Sequence, residues 1–270
     1  MQGVLNSNLQ AVTRSFSATD NGQHTTDSLC YIVDMLTKTN NKIIDFKNPK
    51  EVARIIDQTL LQPTATRDHV QKFCEEAVAM EFAAVCVAPC WVGLAARVAA
   101  NSDVQVCSVA GFPLGFETQE LKVKAGIIAL ASGAHEIDYV VNLGAVKSGD
   151  YRLIEAEMRA MRSAAEKEVI KVILETGYLS QQEKRTLCQL AVDAGLDYVK
   201  TSTGFGPTGA SVDDVRLLAE CSQGFIKVKA AGGIRTLQNL EEMVVAGAHR
   251  IGTSAGREIM SQIAVRNQVP

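Results

Sequence analysis

The chain has 270 residues, 47% of them hydrophobic, and a formal net charge of −3. That is enough apolar material for one barrel-sized core or two small ones, and without a basic tract or basic–aromatic interleaving the sequence argues against a nucleic-acid partner. No apolar run approaches the ~20 residues of a membrane span, the N-terminus lacks the apolar core of a secretory signal, and the seven cysteines, mostly inside apolar stretches, read as reduced core thiols of a cytoplasmic protein.

Residues 1–26 are polar and rich in Asn, Ser, Thr and Gln. The acid-poor start reads as a frayed extension, with an organelle-targeting peptide as the weaker alternative. Leu29, Ile32, Val33 and Leu36 then recur at helical spacing, and Thr26 or Asp27 suits the cap. Residues 1–47 are therefore an extension with one helix, and residues 48–270 form the main domain.

From residue 48 a short apolar strand followed by a helix repeats along the chain. Strands are expected at 55–61, 83–88, 104–110, 136–142, 169–175, 197–202, 225–230 and 250–253. Helical patterns lie between and after them, near 67–80, 91–100, 118–132, 151–168, 181–194, 212–222, 237–246 and 255–263. Eight regular strand–helix units predict an α/β fold of the (β/α)8 TIM-barrel type, and an open doubly wound sheet is the competing architecture. Residue parity favours the barrel. Ile137, Tyr139 and Val141 alternate with Glu136, Asp138 and Val140; Ile170, Val172 and Leu174 alternate with Lys171, Ile173 and Glu175; Lys227 and Lys229 alternate with Ile226, Val228 and Ala230. An apolar parity packs on helices, and the other carries lysines and carboxylates into one enclosed space.

The sixth strand, in Asp197-Tyr198-Val199-Lys200-Thr201-Ser202-Thr203-Gly204, holds one lysine and ends in hydroxyls and a glycine. A lysine inside a buried strand is costly unless something pairs with it or uses it. The seventh strand brings Lys227 and Lys229 alongside. Two ammonium groups that close repel, which eases loss of one proton, and a neutral lysine amine attacks carbonyls to form Schiff bases. A satisfied salt-bridge cluster is the plainer alternative.

Six segments together resemble the 2-deoxyribose-5-phosphate aldolase family: IDQTLLQP (56–63), AVCVAP (84–89), EIDYVVNLG (136–144), KVILETG (171–177), DYVKTSTGFG (197–206) and VKAAGGIRT (228–236). The resemblance implies a class I aldolase that splits 2-deoxy-D-ribose 5-phosphate into acetaldehyde and D-glyceraldehyde 3-phosphate, with no metal and no cofactor. It implies Lys200 as the Schiff-base nucleophile, Lys229 as the second lysine that keeps Lys200 partly neutral, and Asp138 as general acid/base. Lys227, two residues deeper than Lys229, is expected to be structural or paired with a carboxylate. A homo-oligomer is also implied by the resemblance.

A sugar phosphate needs an anion site. Gly204, Gly232 and Gly233 end the sixth and seventh strands, and Gly252, Thr253 and Ser254 lead from the eighth into a helix, where backbone N–H groups favour an anion. Arg235 adds a charge or salt-bridges nearby. Some relatives carry a lysine where this chain has Phe205, which shifts phosphate binding here toward backbone amides. Thr59 and Thr203 are candidates for substrate hydroxyls or local turn hydroxyls. Asp57 matches a family carboxylate near the second lysine, and Cys86 a family cysteine facing the substrate; an ion pair and a small core residue are the plainer readings. Family members read His and Lys at Gln58 and Gln62. The G-x-G-x-x-G match at 204–209 follows a barrel strand and contains a proline, against a dinucleotide site. Cys86 and Cys90 lack partners at zinc spacing, and His24, His69, His135 and His249 lie away from the strand ends, which suggests surface roles. Two rivals stay open here: another Schiff-base aldolase with a different aldehyde pair, and an inactive barrel that only binds a phosphorylated metabolite.

Overall fold

A computed structural model describes residues 44–268; the expected helix near Leu29–Leu36 and its cap lie outside the described residues. Eight strands close in sequence order into a barrel, every neighbouring pair parallel. The strands are β1 (Ile56–Leu60), β2 (Ala84–Val87), β3 (Gln105–Ala110), β4 (Glu136–Val140), β5 (Val169–Ile173), β6 (Tyr198–Lys200), β7 (Lys227–Ala231) and β8 (Arg250–Thr253). The α-helices are α1 (Pro49–Ala53), α2 (Arg67–Ala79), α3 (Val92–Ala99), α4 (Gln119–Ala131), α5 (Leu143–Lys147), α6 (Tyr151–Ala164), α7 (Gln181–Asp193), α8 (Val212–Ser222), α9 (Leu237–Val245) and α10 (Gly256–Gln268).

Local chemistry sets these boundaries. Side-chain oxygens cap the helix starts: Thr66 accepts from the N–H of His69, Asp150 from Leu153, and Ser180 and Glu183 form a reciprocal capping box. α6 stops at Ala164 rather than running to 168. The Arg162 guanidinium explains this, because it donates to the carbonyls of Ala165 and Glu168 and pairs with Asp197 at 2.7 Å. Those bonds hold residues 165–168 as a turn into β5. β7 starts at Lys227 rather than 225, because Gln223 and Gly224 have positive φ and leave Phe225 outside the sheet, 78% exposed. The short helix α5, capped by Asn142, was not expected.

The outward parity of the strands is apolar and fully covered: Ile137, Tyr139, Ile170, Val172, Val228 and Ala230 are buried. α6 packs on this layer through Ile154, Glu157, Met158 and Met161, at the spacing of one helix face. The inward parity is charged, and it positions the site. Among the described residues no helix is long and apolar enough to cross a membrane.

Candidate active site

Parity and register bring the inward side chains together in layers. Asp138 is the register partner of Lys171, Lys200 of Lys229, and Lys229 of Arg250. Asp138, Lys171 and Lys229 are fully buried, and Lys200 is 2% exposed. Asp138 is the hub. Its Oδ2 accepts from Lys200 Nζ at 2.8 Å and Lys229 Nζ at 2.7 Å. Its Oδ1 accepts from Lys171 Nζ at 2.9 Å and from the Cys107 thiol at 3.2 Å. Burial pushes the Asp138 carboxyl up, but Lys171, Lys200 and Lys229 outweigh it and hold the group well below the usual carboxylate range.

The other carboxylates complete the cluster. Asp57 pairs with Lys229 at 2.5 Å and accepts from Arg250 Nε at 2.6 Å. Burial raises its pKa, and Arg250, Lys229 and Lys171 more than reverse this, to about 2. Glu136 pairs with Lys171 at 2.5 Å and Arg250 at 3.4 Å. Four cations thus meet three carboxylates. Lys171 and Lys229 each contact two of these carboxylates, and burial, which pulls both lysines down, is overcome by Asp138 and its companions, so both are held in the charged form. Lys200 contacts Asp138 alone and stands at the end of β6 nearest the loops. It is the amine least committed to ion pairs.

Lys171, Arg250 and Cys107 were not assigned from the sequence. The signal for Lys171 was its place on the inward parity of β5, and for Arg250 the alternation Arg250–Gly252. Cys107 needed the register with Cys86 across β2 and β3. That register also changes the expectation for Cys86. It sits fully buried in an inner layer with Ala84, Cys107 and Val109, and the neighbouring Cys107 side chain is the main influence lowering its thiol pKa. Cys86, Cys107 and Asp138 offer donor atoms within 4.8 Å of one another. They do not suit a resident cation, because the Asp138 oxygens already accept from three ammonium groups and burial pushes the Cys107 thiol well up.

Lys227 differs from expectation. It is exposed at the bottom of β7 with its Nζ 5.6 Å from the centre of the Tyr198 ring, and Lys171 lies 5.7 Å from the same ring. No carboxylate pairs with Lys227 among the described residues. Tyr198 is the floor between the charged cluster and the outside. His135 and His249 each accept a strand N–H, from Val106 and Val228, which gives them a part in the sheet rather than a purely surface role.

At the mouth, the Thr59 hydroxyl donates to its own strand at the Asp57 carbonyl, 2.8 Å away, which is the local-turn alternative. Thr203 donates through N–H and hydroxyl to Glu175, a buried residue with φ +53°. Gly204, Gly232 and Gly233 turn with positive φ, and a Cβ on Gly232 would stand 3.0 Å from Gly209 Cα, so the loops after β6 and β7 lie against each other. Arg235 is exposed and has no ion pair among the described residues. Gly252 lies inside β8 rather than after it. A Cβ there would meet Lys229 Cε at 3.2 Å, so this glycine makes room for the lysine stem. Ser254 is exposed just before α10, but two of the next N–H groups are taken: Ala255 donates to Thr253 Oγ1 at 2.9 Å and Gly256 to Gln58 Oε1 at 3.0 Å. The α10 start therefore offers an anion fewer amides than its sequence suggests, and Gln58 acquires a role as the anchor of that helix.

Residues 51–262 match the family described as DeoC/LacD family aldolase. A protein named deoxyribose-phosphate aldolase from Thermoanaerobacter sp. (strain X514) is 47% identical over 214 residues, covering 78% of this chain and 96% of that protein. One of the same name from Streptococcus equi subsp. zooepidemicus is 48% identical over 209 residues, 77% of this chain and 95% of the relative. The solved deoxyribose phosphate aldolase of Aeropyrum pernix, described as a unique tetrameric structure, is 31% identical with a TM-score of 0.76, covering 86% of this chain and 96% of that one.

Proposed function

The chain belongs to the DeoC/LacD family of aldolases, and from that membership we propose that it reversibly cleaves 2-deoxy-D-ribose 5-phosphate to acetaldehyde and D-glyceraldehyde 3-phosphate through a lysine Schiff base. It is an aldolase, a carbon–carbon lyase. The relatives named deoxyribose-phosphate aldolase, matched over most of their length, support the substrate. The observation that carries the mechanism is that Lys200 and Lys229 donate to one oxygen of Asp138.

Lys200 Nζ, in its neutral form, attacks the aldehyde carbon, and loss of water gives an iminium. The iminium draws in the electron pair of the C2–C3 bond as the C3 hydroxyl loses its proton. Glyceraldehyde 3-phosphate leaves, and an enamine remains on Lys200. Protonation of the enamine and hydrolysis release acetaldehyde. Asp138 receives and returns protons beside Lys200, and Lys229 supplies a fixed positive charge next to the reacting nitrogen. Lys171 holds the other oxygen of Asp138, which keeps the carboxylate aimed at Lys200.

The phosphate sits on the side of the mouth formed by β6 to β8. Backbone N–H groups around Gly204, Gly232 and Gly233 approach it, with Arg235 and the Ser254 hydroxyl as side-chain donors. Gly252 acts behind this, by admitting the Lys229 stem. The free thiols among the described residues fit a reducing, cytoplasmic setting, and the tetramer described for the Aeropyrum pernix relative supports reading this chain as a homo-oligomer. We read residues 1–47 as an N-terminal extension and residues 48–270 as the aldolase domain.

Turnover of 2-deoxyribose 5-phosphate, followed by acetaldehyde release, tests the reading. The wild-type chain is expected to produce acetaldehyde and the Lys200→Met variant none. A folded wild type that binds the sugar phosphate without cleaving it would leave a binding-only barrel.

A further inference from the structure

Two thiols stand side by side in the barrel wall. Cys86 on β2 and Cys107 on β3 are register partners on adjacent parallel strands. Such neighbours lie ~4.8 Å apart, within the ~4.4–6.8 Å between Cα atoms that a disulfide spans. Both belong to the buried inner layer. Their sulfurs and a carboxylate oxygen of Asp138 all lie within 4.8 Å of one another. One step along the same strands, the Ser108 hydroxyl donates to the Val87 carbonyl at 3.0 Å and holds the two strands in register.

The two thiols differ in their surroundings. Cys107 donates to Asp138 Oδ1 at 3.2 Å, and its sulfur accepts from Lys171 Nζ at 3.8 Å. Burial, Cys86 and Asp138 together push the Cys107 thiol well above the ordinary range. Cys86 goes the other way: the Cys107 side chain, helped by Lys229 and Lys200, outweighs burial and Asp138. Burial pushes Cys74 and Cys188, which lie elsewhere, up to about 12. Thiolates rather than thiols attack oxidants, so Cys86 is the sulfur that reacts first. Cys107 is placed to follow, with a carboxylate beside it to take its proton. Leu61 and Phe112, only partly buried, cover this layer, and the mouth that admits a substrate to Lys200 also admits a small neutral oxidant.

We propose that Cys86 and Cys107 form a reversible disulfide on exposure to hydrogen peroxide, and that this modification switches turnover off by removing the Cys107 donor from Asp138. The inference rests on the aldolase reading for its effect on turnover; the disulfide itself does not. The Cys86 thiolate attacks one peroxide oxygen and the O–O bond breaks. Cys86 becomes a sulfenic acid, and the hydroxide released takes up the proton that Cys86 gave up. Cys107 then passes its proton to Asp138 and attacks the Cys86 sulfur. The S–S bond forms, the S–O bond breaks, and the departing hydroxide takes that proton and leaves as water. The two thiols lose two electrons, and one peroxide becomes two waters. Asp138 Oδ1 is then left to Lys171 alone, and the carboxylate loses its aim at Lys200.

The test treats the wild type, Cys86→Ala and Cys107→Ser with hydrogen peroxide and compares cleavage of 2-deoxyribose 5-phosphate with each protein's own untreated rate. Non-reducing peptide mass mapping runs in parallel, with exposed Cys90 as the internal measure of dose. The wild type is expected to lose at least about tenfold in kcat, to show the peptides carrying Cys86 and Cys107 joined with the loss of two hydrogens, and to recover with dithiothreitol. Cys86→Ala is expected to stay within about twofold of its untreated rate under the same dose. Cys107→Ser, with no second sulfur, is expected to be inactivated without recovery as Cys86 goes on to the sulfinic acid. A wild type with no joined peptides at a dose that fully oxidises Cys90 overturns the proposal. So do joined peptides with turnover intact, and a Cys86→Ala variant inactivated as far as the wild type. A folded wild type that does not cleave the sugar phosphate before treatment overturns the aldolase reading instead, and the joined peptides still decide the disulfide.

Discussion

Among the described residues, two sets of buried lysines and carboxylates behave oppositely. Inside the barrel, three lysines converge on Asp138. Outside it, between α4, α6 and β4, Lys122 meets Glu157 alone, at 2.8 Å, with Lys122 also donating to the Val140 carbonyl. In the outer pair burial wins on both sides. It lowers the Lys122 pKa and raises that of Glu157, so each partner is drawn toward neutrality. In the inner cluster the many opposite charges win: Asp138 is pushed down, and Lys171 and Lys229 are pushed up. A one-to-one buried pair can lose its charge and still serve packing. A cluster in which carboxylates meet several cations keeps its charges. Within it Lys200 has one carboxylate contact and the place nearest the mouth.

The largest test of the contrast exchanges lysines. Lys200→Met is expected to lower kcat by at least about four orders of magnitude while thermal unfolding shifts little. Lys122→Met is expected to do the reverse. It leaves Glu157 buried without its partner and costs about 3–5 kcal/mol of stability, with kcat changed less than about threefold. Denaturant unfolding and turnover measured on both variants separate the two kinds of lysine.

Asp138→Asn comes next. It removes both the proposed proton carrier and the charge that three lysines share, and turnover is expected to fall by about 10²–10⁴. Lys171→Met sharpens the comparison further. It frees Oδ1 of Asp138 without touching Lys200, and misaiming the carboxylate is expected to cost about 10²-fold in kcat with a smaller change in KM. A Lys171→Met variant with full turnover would reduce that lysine to an ion pair of the Lys122 kind.

The smallest effect is on acid stability. Asp57 ionises at about 2 in the fold against 3.8 for the ordinary group. Its stabilisation, about 2–3 kcal/mol, is complete above about 4 and is lost as pH falls through about 2. Urea midpoints measured between these values should fall with pH in the wild type and fall less steeply in Asp57→Asn.

The barrel was legible because period-2 alternation marks an inward face on each strand. That face named Lys229 and Asp138 and separated them from the helix-packed Ile137 and Val228, whereas Lys200 stood out as a lone lysine in a strand and Asp57 came from the family resemblance. Neighbours across strands were less legible. Cys107 beside Asp138 and Arg250 beside Asp57 follow from register and from the reach of long side chains, which no single strand's pattern encodes. Lys227 had the right parity but the wrong depth, and one strand step put it outside the floor formed by Tyr198. The Phe112–Phe205 contact joins loops from strands that are not adjacent, and Gln58 meets Gly256 198 positions away. Such meetings arise only on closure of the barrel.

The central claim is tested most directly by borohydride reduction of the wild-type chain in the presence of acetaldehyde, followed by peptide mass mapping. An ethyl adduct on the peptide that carries Lys200, and on no other, is the predicted result. An adduct on Lys229 would reverse the roles of the two lysines that share Asp138. No adduct on any lysine of folded protein would contradict the covalent mechanism.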